Sequence, residues 1–357
     1  MREDILKIAH SGVLAPSADN QHVFQMEILD SAIRLWPSLA FAATVEPIRL
    51  TLGLVSIGAV IENMRIQALA LGLSSDITWL YKHNSSNPFA ELQFHNITEP
   101  IIDELADAIP HRHTNRRMYR GSKLNDHQVN SLNDAAASID GVQLIWLTGM
   151  QRKKALQLIW RAESERFLQK SLHEDLFSSI RFDLKWNETA ENLLPPGALS
   201  IESPMRPIFK ALRSWNLMRS LSFFGAHHII GLRAGLLPCW QAPALGLLTT
   251  TIGIEKGAIS AGAALERIWL KATQLGMAMQ PLAASAMLAL PNNSGQGASD
   301  KLRSTLVSGW REITPESLPI MVFRMGRASA PSIRTSRLPL TQYIRRDLIK
   351  SPLSTPT

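Results

Sequence analysis

Two stretches of this chain repeat one pattern. Gly58-Ala-Val-Ile-Glu-Asn-Met-Arg-Ile-Gln-Ala-Leu-Ala-Leu-Gly72 and Gly262-Ala-Ala-Leu-Glu-Arg-Ile-Trp-Leu-Lys-Ala-Thr-Gln-Leu-Gly276 share Gly, Ala, Glu, Ala, Leu and Gly at the same six offsets. In the first, Val60, Ile61, Met64, Leu69 and Leu71 fall at the spacing of a buried helix, and Gly72 is a stop signal. Six identities with both end glycines aligned point to duplication rather than to two unrelated core helices. A duplicated unit restricts the chain to architectures made of two like halves. The halves are expected at residues 1–104 and 105–345, the second carrying an insertion at 167–236, with a tail at 346–357.

Other elements follow from local pattern. Asp4 to His10 predicts a short helix. Val23 to Leu29 and Gln241 to Thr251 predict strands, the second central because it is almost wholly apolar. Leu318 to Arg324 is a short apolar run that predicts a buried strand. Pro16, Ser17, Asp19 and Asn20 are turn formers between the first helix and the first strand. Phe167 to Leu236 contains amphipathic pieces, Leu176 to Trp186 and Ile208 to Met218, and a Pro-Pro-Gly turn at 195–197.

The most polar stretch is His111-Arg-His-Thr-Asn-Arg-Arg-Met-Tyr-Arg-Gly121, with four arginines, two histidines, a hydroxyl and an amide. It follows a helix-like segment, Ile101 to Ile109, and precedes a helix start at Asn125-Asp126. Such a loop is either a solvated basic surface or an anion site, because arginine forks match phosphate oxygens and a Thr hydroxyl adds a donor.

The order Arg112-His-Thr114-Asn-Arg116-Arg-Met-Tyr119 resembles the Arg-x-Ser/Thr-x-Arg/Lys-x-x-Phe/Tyr segment of the nitroreductase family of flavoproteins. Ala15-Pro16-Ser17 and Asn20 resemble that family's Ala-Pro-Ser-x-x-Asn turn. Its following Gln-Pro-Trp is here Gln21-His22-Val23. Met277-Ala-Met-Gln-Pro281-Leu282-Ala resembles the segment whose backbone lies against the flavin edge. Ser332-Ile-Arg334-Thr-Ser-Arg337-Leu-Pro339 resembles the Ser-Arg-x-Pro ending, where a basic residue returns to the phosphate. The tandem arrangement and the insertion are similar to the divergent group that includes the mycobacterial Acg proteins, in which an insertion covers the flavin.

The resemblance implies an α+β fold, with two tandem modules forming an intramolecular pseudo-dimer of mixed sheets packed by helices. It implies one non-covalent FMN per chain. Arg112, Thr114 and Arg337, with Arg334 as a weaker alternative, would meet the phosphate. Arg116 would approach the ring, and Pro16, Ser17, Asn20, Pro281 and Leu282 would border it. In this family the flavin lies between two subunits, one supplying the basic loop and the other the Pro-Ser turn. Here each half has kept one of the two. Hydride would come from NADH or NADPH and pass to a quinone, nitro compound or other small acceptor. The alternative is a protein that sequesters flavin under the insertion without turnover. No side chain is required as a catalytic acid or base, and a fused pair is expected to be a monomer.

Charge and composition narrow the field. The net charge of +7 is concentrated at residues 301–350, which hold ten Lys/Arg and three Asp/Glu. A nucleic-acid tail would explain it, but the buried strand read within that region argues against a disordered basic arm. The single Cys239 excludes an intrachain disulfide and reads as a small buried hydrophobe. His111 and His113 lack the company of a metal site. No membrane-spanning run and no signal-peptide core are read, so the expectation is a cytoplasmic protein acting on small molecules, without nucleic acid, membrane or metal.

Overall fold

The two repeat helices, Pro47–Ala70 and Ile254–Gln274, pack directly on one another, and their glycines set how closely. A Cβ on Gly58 would lie 1.9 Å from the carbonyl oxygen of Ile259, and one on Gly262 would lie 1.9 Å from that of Val55. Each glycine thus meets the carbonyl three residues before the other helix's glycine, so the contact is self-complementary, as across a two-fold axis. Both helices stop at a glycine with positive φ, Gly72 at +75° and Gly276 at +67°. The computed structural model describes residues 2–81, 87–98, 103–293 and 297–345.

The strands repeat the same plan. β1 (Phe24–Ile28), β2 (Ala32–Pro37), β3 (Leu73–Trp79) and β4 (Ala90–Asn96) form a sheet in the order β1-β2-β4-β3. β5 (Val142–Trp146), β6 (Ala244–Thr250), β7 (Ala278–Leu282) and β8 (Leu318–Gly326) form another in the order β5-β6-β8-β7. All pairings between these strands are antiparallel. Parallel pairing enters at the edges as single bridges, Met26 to Ile344 and Thr114 to Met279. The architecture is α+β with two like sheets. β6 is buried along its whole length, as its unbroken apolar run requires.

An α-helix precedes the first strand of each sheet, Arg2–Val13 before β1 and Asp126–Ala137 before β5, the second capped by a reciprocal Asn125–Gln128 box. Residues 147–243 then stand between β5 and β6, where the first half has only the turn 29–31. Part of this segment builds its own core from Phe167, Phe177, Ile180, Leu212 and Met218. The amphipathic pieces expected there come out shorter. The helices are Lys170–Ser178, Arg206–Ala211 and Trp215–Phe223, and residues 180–190 turn back on themselves. The break before Trp215 falls at Ser214, whose extended backbone cannot continue a helix.

The first repeat helix begins well before the repeated stretch, at Pro47, so Leu50 to Gly58 is part of it. That helix is therefore long and apolar enough to pass for a membrane span by length and composition, but 78% of its apolar window is buried inside the fold. The segment read as helix-like at 101–109 is a 3-10 helix at Glu104–Ala108, and its residues 101 and 102 lie outside those described, as does the tail 346–357.

Candidate functional site

Residues 103–112 pass from one half to the other across Ile66 and Leu270, which occupy the same offset in the two repeats and pack with Leu105, Ala108 and Ile109. The two ends of this crossing carry opposite charges. Asp103 pairs with Arg267 at 3.0 Å, and Arg267 pairs with Glu62 at 2.7 Å. At the other end Arg112 approaches Glu266 at 3.0 Å. Glu62 and Glu266 are the two repeat glutamates. The residue after Glu266 is Arg267, which meets Glu62; the residue after Glu62 is Asn63, which meets Glu266. The second carboxylate therefore faces an amide where the first faces a guanidinium, and its cation comes from the basic loop.

Arg112 is held on three sides. Its Nη2 donates to Leu14 O at 2.8 Å, its guanidinium lies 4.7 Å over the Trp269 ring, and its side chain is only 5% exposed. Its Nε meets Glu266 outside hydrogen-bond geometry. Glu266 is fully buried, and burial pushes its carboxyl up to about 7 against the opposing pull of Arg112, Asn63 and Arg337.

Arg337 reaches the same place from the C-terminal segment. It donates to Val13 O at 3.2 Å, to Ala15 O at 2.8 Å and to the side-chain oxygen of Asn20. Burial, with Arg112 adding like charge, brings it down to about 10. Thus Arg112 and Arg337 meet the carbonyls at the end of the first helix, directly before the Pro16-Ser17 turn. Asp19 and Asn20 in that turn have positive φ, 52° and 59°, a conformation their short polar side chains tolerate.

The rest of the basic loop lies along β7. Asn115 N donates to Met279 O at 3.1 Å, beside the Thr114–Met279 bridge, two residues before Pro281. Pro281 pairs with Phe323, and Leu282 is buried in the core on the far side of that sheet with Leu245 and Val322. Arg116 donates to Ala198 O at 3.3 Å; burial lowers its pKa, and Asp19 counters part of that. His113 is lowered by burial and by the charges of Arg334 and Arg112. Ser17 makes no side-chain cap bond.

The insertion covers this region. Asn20 donates to Ala190 O and Leu193 O, both at 3.2 Å, and accepts Leu193 N at its backbone. Thr189 donates to Arg334 O at 2.5 Å, Ser336 N donates to Ala190 O, and a His22 ring nitrogen is 2.8 Å from Glu191 O. Arg112 and Arg337 therefore face one buried carboxylate, Glu266, while Arg116 is held by Ala198 O with Asp19 as its countercharge, and Arg334 is exposed with its carbonyl engaged by Thr189. An excess of fixed cation in a desolvated place is suited to binding an anion.

Sequence reasoning gave no site role to Glu266, although its recurrence in the repeat was visible. It also passed over Arg324, which is wholly buried on β8, 3.9 Å from the Tyr119 ring, bonded to Gln280 at 2.7 Å and to Arg117 O at 2.9 Å. A charged residue inside an apolar run was the available signal in both cases.

No protein-family model matches the chain. It is 21% identical over 339 residues to an uncharacterized protein of Mycobacterium tuberculosis (strain CDC 1551 / Oshkosh), an alignment covering 92% of this chain and 46% of that protein. The chain thus spans about half the length of the curated relative it matches. Among solved structures, it is similar to the FMN-dependent nitroreductase NfnB from Mycobacterium smegmatis in complex with NADPH, at 16% identity and a TM-score of 0.39, covering 68% of this chain and 97% of that one. It is similar to a nitroreductase-like family protein from Bacillus cereus at 10% identity and 0.37, covering 70% and 98%.

Proposed function

We propose that this chain is an FMN-binding oxidoreductase of the nitroreductase type, folded as an internal pseudo-dimer with one flavin site. The observation that carries the reading is the convergence of Arg112 and Arg337 on the end of the first helix, which joins the basic loop of one half to the Pro16-Ser17 turn of the other. The donor set fits the group: two buried guanidiniums, Arg112 and Arg337, stand against one buried carboxylate whose own charge is disfavoured by burial, which leaves a positive excess for a phosphate dianion.

Arg112, Arg337 and Thr114 would hold the phosphate, with Arg334 nearby. Arg116, Pro16, Ser17, Asn20 and Pro281 would border the ring, with Leu282 reaching it only through its backbone, since its side chain packs in the core on the other face of the sheet. The chemistry supplied by bound FMN is transfer of reducing equivalents from NADH or NADPH to a quinone, a nitro compound or another small acceptor. Arg116, desolvated and positive, would favour negative charge beside it. Residues 189–198 would exclude water.

A second reading is favoured by that same cover. Asn20, Arg116 and the Arg334 carbonyl are all engaged by the insertion, which supports a protein that holds flavin closed to substrates. Anaerobic mixing separates the two. Bleaching of the holo-protein by NADH or NADPH within minutes supports the oxidoreductase. Bleaching by dithionite alone supports the closed protein, and failure to bind FMN refutes both.

A further inference from the structure

The insertion also presents a surface for which the candidate site has no use. From Ser203 to Ile254 the sequence contains no Asp or Glu, whereas Arg206, Lys210, Arg213, Arg219 and Arg233 supply five cations. Lys210, Arg213, Arg219 and Arg233 are exposed. Arg233 pairs with Glu202, just outside the acid-free stretch, and Arg206 lies 4.8 Å from the Trp186 ring.

Large apolar side chains share this stretch and face water. Phe223 is 87% exposed, Phe224 83%, Ile229 70% and Trp240 64%. The helix Trp215–Phe223 turns Met218 and Ser222 inward, while Leu217 and Leu221 lie outward and Phe224 continues their stripe at the next turn. A concentration of exposed apolar side chains of this size marks an interaction surface.

Charge complementarity identifies the partner. Short helices that interleave exposed aromatic and aliphatic side chains with Lys and Arg, and carry no acid, have the composition of elements lying in a lipid headgroup region. There the apolar side chains sink below the phosphates and the cations meet them. A helical peptide would need a concave apolar groove. The depression between Leu168 and Phe223 is instead lined by Asn216, Arg219, Ser220 and Ser222.

We propose that the insertion docks this protein on an anionic lipid surface. The expectation of no membrane partner rested on the lack of a spanning run, and a surface-lying element needs none. The same insertion carries Ala190, Leu193 and Ala198, so the docking element and the cover of the candidate site are one segment of chain. The proposal stands whether or not that site takes flavin.

The test is sedimentation of the full chain with phosphatidylcholine vesicles, with and without phosphatidylglycerol. Binding is expected only to the anionic vesicles, weakening with salt. The double variant Phe223→Ser/Phe224→Ser should bind about tenfold or more weakly, since burying even one such ring is worth that factor. Arg213→Glu/Arg219→Glu should lose the preference for anionic lipid. Circular dichroism should be unchanged in both variants, because the substituted side chains are exposed. Absence of sedimentation with either vesicle, or unchanged binding by both variants, overturns the proposal. So does a dimer in light scattering that Phe223→Ser abolishes while vesicles go unbound, since a second copy would then be the occupant.

Discussion

Glu266→Gln tests the electrostatics at the junction of the two halves. Glu266 is wholly buried and titrates at about 7 rather than the ordinary 4.5. A carboxyl whose pKa is raised by folding binds its proton more tightly in the native state. Native stability is therefore highest below pH 4.5 as far as this group is concerned, and falls as pH rises toward 7. At about 1.4 kcal/mol per pH unit, the loss is on the order of 3 kcal/mol. Glutamine mimics the protonated acid and cannot ionise. Urea unfolding should then give wild type and Glu266→Gln similar stability at pH 5, with the variant the more stable by up to about 3 kcal/mol at pH 8. The competing outcome has the opposite sign. If the pair with Arg112 outweighs burial, removing its carboxylate leaves Arg112 uncompensated and costs about 3–5 kcal/mol at pH 8. That result would refute the argument that burial dominates here.

Arg112→Ala removes a charge-assisted contact and should weaken FMN binding by about 1.5–3 kcal/mol, roughly ten- to 150-fold, in a fluorescence titration. Gly262→Ala puts a methyl group against Val55 O and should destabilise by about 1–3 kcal/mol or more; Gly58→Ala, at the matching contact with Ile259 O, should cost about the same in urea unfolding. Cys239 is buried and its thiol is pushed up to about 12, so a thiol reagent should label it only after denaturation. Light scattering should return the mass of one chain, 39.6 kDa; a dimer that persists on dilution would contradict a pseudo-dimer complete in itself.

Much of this fold was legible because its signals were local or repeated. The paired glycines of the two repeat helices recur in the sequence because each sits against the other helix's backbone. The apolar runs of β6 and β8 announce buried strands. The basic loop was visible as composition, and its order of residues carried the resemblance. What a linear reading could not supply was partnership. That Arg112 pairs with Glu266, and that Asn63 faces Glu266 where Arg267 faces Glu62, depends on how two helices cross. The insertion was harder still. Its helices are short and interrupted, so periodicity over 208–218 merged two pieces, and its contacts with Asn20 and Arg116 run through backbone carbonyls that carry no side-chain signature.

The central claim is that two diverged halves of one chain complete a single flavin site. Titrating the purified protein with FMN, following flavin fluorescence against protein concentration, tests it most directly. The account predicts saturation at one FMN per chain, with binding weakened alike by substitution in the basic loop (Arg112→Ala) and in the turn of the other half (Asn20→Ala). No binding, two equivalents per chain, or binding indifferent to one of these substitutions would contradict it.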